Sequence, residues 1–549
     1  MRSNLLLGLA ALAACGFESP PTVTPDGPPA DAPPGAGEVR FVSVNAGVDL
    51  LRPGRHAIEV TAVLHNGLAV ELTDLRAELT FRDAAGDRAA DFRWRDADGR
   101  DGVLEPQPSQ LPAGEQAVFR FRVDVVAHAV DPRPILLGGR ATFLAGGRAS
   151  AATALDPPLI LPFEELAPPI VVTVADDEDN ADARISFREA VKAANARPGL
   201  DRITFDPSVF PPGGWTSALL GNNLGALPPI DGDLVIDGTG AGFELAVNPS
   251  WTGSRRYGLR LAGGTLVVHG IAFRDLGHAY PAENLGASNC GSGAQHDGGA
   301  IRVDGGTLIL YGNRFTDEGV GERNCRAASV RLHGGEGHRI LNNTWTDPAM
   351  DALYIAAATR EISGNVINAG GAPGKTDDCI TIDAQGGADL WIIGNVCADQ
   401  ELTAITAGGA DPGKLYIVHN TFVRNGGPGA VHRAGTQRRV ELHGNAYQGN
   451  PQAAISADGD GINLRISHEA EVGSARFCTA CGSAVIQTST ISSGVDLGLL
   501  VPAGSTPADL TPRAASPLVD SGLDLVDRNG SLPRRFNGAG PERGAVELP

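Results

Sequence analysis

One repeating feature constrains this chain more than any other. Glycine or a polar residue is followed by Asn, and two positions further on by a bulky residue, at Asn313, Asn343, Asn365, Asn395, Asn420 and Asn445. The successive gaps are 30, 22, 30, 25 and 25 residues. The residues two places on are Phe315, Trp345, Ile367, Cys397, Phe422 and Tyr447. A period in the twenties, with short β-like segments between turns, predicts a solenoid in which equivalent residues stack. Stacked Asn amides can hydrogen-bond from coil to coil, and stacked large side chains fill the interior.

Composition agrees with many short strands and tight turns. The chain has 72 Gly and 38 Pro in 549 residues, with 42% hydrophobic residues, which argues against long helices. A formal charge of -20 argues against nucleic acid as a partner, because phosphate binding needs cations. The length allows two or more domains.

The first residues read as an address. Arg2 supplies the positive start, Leu5 to Ala14 the apolar run, and Leu12-Ala13-Ala14-Cys15 the processing site. This segment resembles a bacterial lipoprotein signal, which implies cleavage after residue 14, lipidation of Cys15 and a membrane anchor there. Gly16, rather than Asp, implies the outer membrane. Residues 15–37 form a Pro-rich tether. Export makes disulfides expected among the remaining six cysteines. Cys290 and Cys325 flank one rung and form one candidate pair; Cys478 and Cys481 form another. Cys397 occupies a ladder position and reads as a small buried apolar residue.

Residues 38–165 alternate apolar and polar, as in Ile58, Val60, Ala62, Leu64 and Phe119, Phe121, Val123, Val125, with turn signals such as Asn66-Gly67. Period two predicts an antiparallel, immunoglobulin-like β-sandwich without a disulfide, serving as a spacer. A second domain, 166–549, opens with a strand near Ile170, an acidic loop (Asp176 to Asn180) and a capping box at Ser186-Phe187-Arg188-Glu189 that starts a short helix. The loop reads as solvated acid. The run from Ser186 to Asn195, followed by Asp201-Arg202-Ile203-Thr204-Phe205, resembles the amino-terminal cap of right-handed parallel β-helix proteins of the pectate lyase-like superfamily. That resemblance implies an all-β, right-handed parallel β-helix with a capping helix, ending in a closing segment over Ser516 to Leu548. Aligning coils on the apolar pairs Ile301/Val303, Val330/Leu332, Leu353/Ile355 and Ile380/Ile382 sets the expected register.

The same alignment places Asp351 and Asp378 on adjacent coils, with Asp377 beside Asp378 and Thr403 next in the row. Carboxylates one rung apart lie about 5 Å from each other, which raises one pKa as a general acid requires. Asp377-Asp378-Cys379 resembles one element of the polygalacturonase-type hydrolase motif. By that resemblance Asp377 is the general acid, with Asp351 and Asp378 positioning water. Thr403 stands where that family has His, and its Arg-x-Lys element has no counterpart. A lyase reading uses Lys375, His432 and Arg433 to bind a uronate as base or neutraliser, with calcium held through Asp377, Asp378, Asp399 and Glu401. A third reading makes the Asp row turn residues that accept backbone N–H groups. The expectation is a lipid-anchored envelope protein that binds or processes a polysaccharide; the alternative is a non-catalytic surface or adhesion protein with the β-helix as a rigid stalk.

Overall fold

The structure is a computed structural model that describes residues 38–493 apart from 49–50, 53–57, 84–85, 94–108, 126–134, 154–158, 162–167, 181, 221–223, 225, 249–256, 277–298, 317–327, 349–350, 370–377, 384–385, 410–412, 435–438, 460–462, 468 and 487–491. Cys15, Cys290, Cys325, Lys375, Asp377 and the closing segment from Ser516 therefore lie outside the described residues.

Alternating side chains among the described residues of 38–161 produce two antiparallel sheets. One contains Val39–Ala46, Ile58–Asn66, Gln116–Val125 and Phe92–Arg93; the other contains Gly86–Asp87, Leu72–Asp83, Ile135–Ala145, Arg148–Thr153 and Leu159–Leu161. Their inward residues, including Phe41, Leu64, Phe81, Phe119, Phe121 and Leu137, form one core. Asn66 is a buried hinge post for the turn: its Nδ2 donates to the carbonyls of Val70 at 2.9 Å and Leu111 at 3.0 Å, and its Oδ1 accepts from Leu68 N at 3.0 Å.

From Ile170 onward the strands form three parallel sheets. Among the described residues, the first sheet has 12 strands, from Ile170–Val172 to Val485–Ile486. The second has 11 strands, from Thr216–Leu220 to Ser492–Ser493, and the third has 9, from Tyr257–Leu261 to Cys478–Thr479. Each coil runs from third to first to second sheet, as in Val330–Leu332, Glu336–Leu341 and Thr344–Thr346. The fold is a right-handed parallel β-helix, and the expected register holds: Val330, Leu353, Ile380, Ile405 and Val431 are successive strand partners.

The amide ladder sits at the sharp turn from first to second sheet. The residue before each ladder Asn has positive φ: Gly312, Asn342, Gly364, Gly394, His419 and Gly444. That backbone state favours Gly and tolerates Asn and His, which explains the glycine-or-polar half of the motif. Each ladder Asn then donates from Nδ2 to the Oδ1 of the next, at 3.0 Å for Asn313–Asn343, 2.9 Å for Asn365–Asn395 and 3.0 Å for Asn420–Asn445. Glu469 ends the ladder by accepting from Asn445 at 3.1 Å. Beside it, Phe273, Phe315 and Trp345 stack with centroids 4.8 and 4.5 Å apart.

The helix Phe187–Asn195 covers the open end of the solenoid. Its capping box is complete: Ser186 Oγ accepts from Glu189 N, and the Glu189 carboxylate accepts from Ser186 N. Phe187, Ala190, Val191 and Ala194 face the interior. The acidic loop before it is an ion-paired latch, a correction to the solvated reading. Asp177 grips the buried Arg188 through both oxygens at 2.7 and 2.9 Å, Glu178 pairs with Arg184, and Asp179 pairs with Lys192. No helix among the described residues is long and apolar enough to cross a membrane.

Candidate functional site

Third-sheet strands are mostly three residues long, so each presents one outward side chain between two buried ones. Parallel register stacks these outward residues into a single row, one rung about 4.8 Å from the next. The row begins with Arg260, Arg302, Arg331 and Tyr354. It continues through Thr381, Thr406, His432 and Ser456. Except for the buried Ser456, these side chains are half-buried.

The row's chemistry changes along its length. Asp304 bridges two guanidinium groups, accepting from Arg260 Nε at 2.6 Å and Arg302 Nε at 2.8 Å. Burial opposes the Asp304 charge, but these two arginines outweigh it and hold the carboxyl below its ordinary pKa. Arg331 lies over the Tyr354 ring, 4.8 Å from its centroid. The Tyr354 hydroxyl donates to Asp383 at 2.8 Å, and burial together with Asp383 pushes its pKa up to about 12. Tyr354 therefore remains a neutral phenol. Beyond it come hydroxyls and an imidazole, with His432 Nδ1 2.8 Å from Ser456 Oγ.

Asp351 and Asp378 do fall on adjacent coils, beside this row, but their carboxylates are engaged with backbone. Both residues are 7% exposed. Asp351 Oδ1 accepts from Asp378 N at 3.3 Å. Asp378 Oδ1 accepts from Thr403 N at 2.8 Å and from Thr403 Oγ1, while its Oδ2 accepts from Thr381 Oγ1 at 3.1 Å. Each carboxylate thus caps the equivalent turn one coil further on. This is the turn-residue reading, and it explains Thr403: a hydroxyl donor continues the row after two acceptors. In the pair that the hydrolase reading assigns to water, Asp351 Oδ1 and both Asp378 oxygens thus have protein donors.

The remaining sequence candidates separate. His432 joins the outward row, as described. Arg433 does not: its side chain lies on the inward face between Ala407 and Ala457, 1% exposed, and its guanidinium donates to the Asp458 carbonyl. The two flanking alanines provide its space. Burial lowers the Arg433 pKa against the attraction of Asp458. Asp399, at φ 61°, accepts with its two carboxylate oxygens from Nε and Nη2 along one edge of the Arg424 guanidinium, so the expected calcium ligand is engaged in an ion pair. Glu401 sits half-buried in the following turn. Among the described residues no group of three or more His, Cys, Asp or Glu side chains converges as a metal site.

Sequence reasoning missed Arg302, Arg331 and Tyr354. The signal was present: each is the residue enclosed by one of the apolar pairs used to align the coils.

Residues 300–470 match the family described as "Right handed beta helix region". Among solved structures, the chain is similar to pectate lyase Pel9A at 12% identity, covering 69% of this chain and 97% of that one with a TM-score of 0.38. It is also similar to the catalytic domain of an alpha-1,3-glucanase in complex with tetrasaccharides, at 10% identity, covering 83% and 98% with a TM-score of 0.22. No curated protein matches the sequence.

Proposed function

We propose that this right-handed parallel β-helix protein binds an extracellular, anionic polysaccharide along the outward row of its third sheet, without cleaving it, and is held at the cell envelope by a lipid on Cys15. The row itself carries the reading. It offers regularly spaced guanidinium, phenol, hydroxyl and imidazole groups on a rigid track, which suits a polymer that repeats along its length. Arg331 stacked on Tyr354 combines a cation for carboxylate with an aromatic edge for a sugar ring. The engagement of Asp351 and Asp378 with backbone amides supports binding over hydrolysis. The lipid anchor rests on the leader sequence ending at Cys15.

Affinity electrophoresis of the full chain in gels containing polygalacturonate, alginate or a neutral β-glucan tests the proposal. The uronate polymers should retard the protein, less so at high salt, and Arg331→Ala with Tyr354→Ala should weaken retardation about tenfold or more. Equal migration of both proteins in every gel would favour the rigid-stalk alternative. No oligosaccharide should be released; release that Asp378→Asn abolishes would overturn the non-catalytic reading. Cys15→Ser should shift the chain from the membrane to the soluble fraction.

A further inference from the structure

The coil that carries Cys379 departs from its neighbours at two interior positions, and the departures meet. The residue preceding each third-sheet strand points inward and is Ala352, Cys379, Ala404, Ala430 and Ala454 on successive coils. Along the second sheet the inward row is Phe315, Trp345, Ile367, Cys397, Phe422 and Tyr447. Cys379 is thus the large member of a row of small residues, and Cys397 the small member of a row of large ones. Both belong to one coil and both are fully buried. The Cys379 sulfur lies 4.0 Å from the carbonyl oxygen of Ile367, which is the strand partner of Cys397. Complete burial, with the Cys397 thiol against it, pushes the Cys379 pKa well above its ordinary value. Among the described residues these two are the free thiols, since Cys478 and Cys481 are already joined.

We infer that Cys379 and Cys397 form a disulfide across the interior of this coil when the chain folds in an oxidising compartment. Two matched departures from size at touching positions are what a cross-link requires and what independent packing substitutions do not. Both thiols are buried and shielded in the folded coil, so the bond forms before the coil closes. One thiolate attacks the sulfur–sulfur bond of a donor disulfide and expels a thiol; the second thiolate attacks the resulting mixed disulfide and expels the other. Two electrons and two protons pass from the cysteine pair to the donor, which leaves as two thiols. The closed loop includes the strands Ile380–Ile382 and Leu390–Ile393, so the bond staples one complete coil.

The test uses the full chain exported to a bacterial periplasm behind a standard secretion leader. The protein is unfolded in guanidinium with a maleimide and no reductant, digested, and mapped by mass spectrometry. The expected result is one cross-linked species joining the Cys379 and Cys397 peptides, lighter by two hydrogens than the separate thiols, alongside the linked Cys478–Cys481 peptide. Cys379→Ala, which places the row's usual residue there, should fold and leave Cys397 carrying maleimide. The inference fails if Cys379 and Cys397 are both alkylated in the unsubstituted protein while Cys478 and Cys481 remain linked. Pairing of either with Cys290 or Cys325 overturns it as well.

Discussion

His338 lies at a register irregularity in the first sheet, where its ring replaces backbone as a hydrogen-bond partner. Its Nδ1 accepts from Leu308 N at 3.0 Å, and its Nε2 faces the Gly334 carbonyl at 3.1 Å. These partners fix the neutral tautomer with the proton on Nε2. Burial lowers its pKa to about 4 against the smaller opposing pull of the Gly334 carbonyl. Unfolded, the ring takes up a proton near pH 6.5. Below that pH the unfolded chain binds more protons than the folded one, so stability falls from about pH 6.5 to about pH 4 and then levels. His338→Gln keeps one acceptor and one donor but does not titrate. Urea unfolding should show the native protein losing at most about 3 kcal/mol relative to His338→Gln between pH 7 and 4. A constant difference across that window would remove His338 as a titrating support. Nothing in the sequence around His338 marks this role, because its partners come from a turn and from the preceding coil. Asp378 is the converse case. Its position was legible, but a carboxylate that caps a turn and one that positions water have the same spelling; only the Thr403 hydrogen bonds separate them.

The amide ladder was readable because every rung uses one residue type at one place in a short motif. Its energetics follow from the donor count. Asn395 Nδ2 faces three acceptors: Asn420 Oδ1 at 2.9 Å, Ile362 O at 2.9 Å and Ile393 O at 3.2 Å. Asn395→Asp replaces that donor with an oxygen aimed at oxygens. The substitution should cost about 3 kcal/mol or more at neutral pH, with partial recovery in acid, where the carboxyl regains a proton to donate. Denaturant titration at two pH values measures both effects; an unchanged midpoint at neutral pH would show that the rungs are not coupled. A second, shorter ladder escaped the sequence reading. Gln400 N donates to Asn425 Oδ1 at 3.2 Å, and Asn425 N to Asn450 Oδ1 at 2.9 Å, at the turn after the second sheet. It mixes Gln with Asn and spans only three coils, so it is easily overlooked, although each member stands five residues after a rung of the longer ladder, at Asn395, Asn420 and Asn445.

The sandwich and the β-helix meet on the outer face of the first sheet, an arrangement that local sequence patterns do not encode. Asp124 accepts from Arg339 Nη1 at 2.8 Å, and Arg339 also grips Glu361. Burial opposes the Arg339 charge, yet Asp124 and Glu361 hold its pKa above the ordinary value. Arg52 lies 4.0 Å from Asp233 at the other end of the same face. Between these two bridges runs an outward strip, Val235, Val267 and Ile309, in strand register and buried to 3% exposure or less. Outward residues on a solvated sheet are ordinarily polar, so this buried apolar strip marks a covered part of the face, and the exposed Arg52 pair contributes little to holding the two parts together. These contacts of the sandwich fall on the first sheet and not on the third-sheet row, as the proposed polymer track requires. Val267→Asp tests the strip without touching the coil interior. A carboxylate buried there without a partner costs several kcal/mol, more than one bridge returns. The sandwich should swing free: small-angle scattering should show a larger radius of gyration, circular dichroism should retain the β signal, and retardation by polyuronate should be unchanged. An unaltered scattering curve would show that the ion pairs, and not the apolar strip, hold the two parts together.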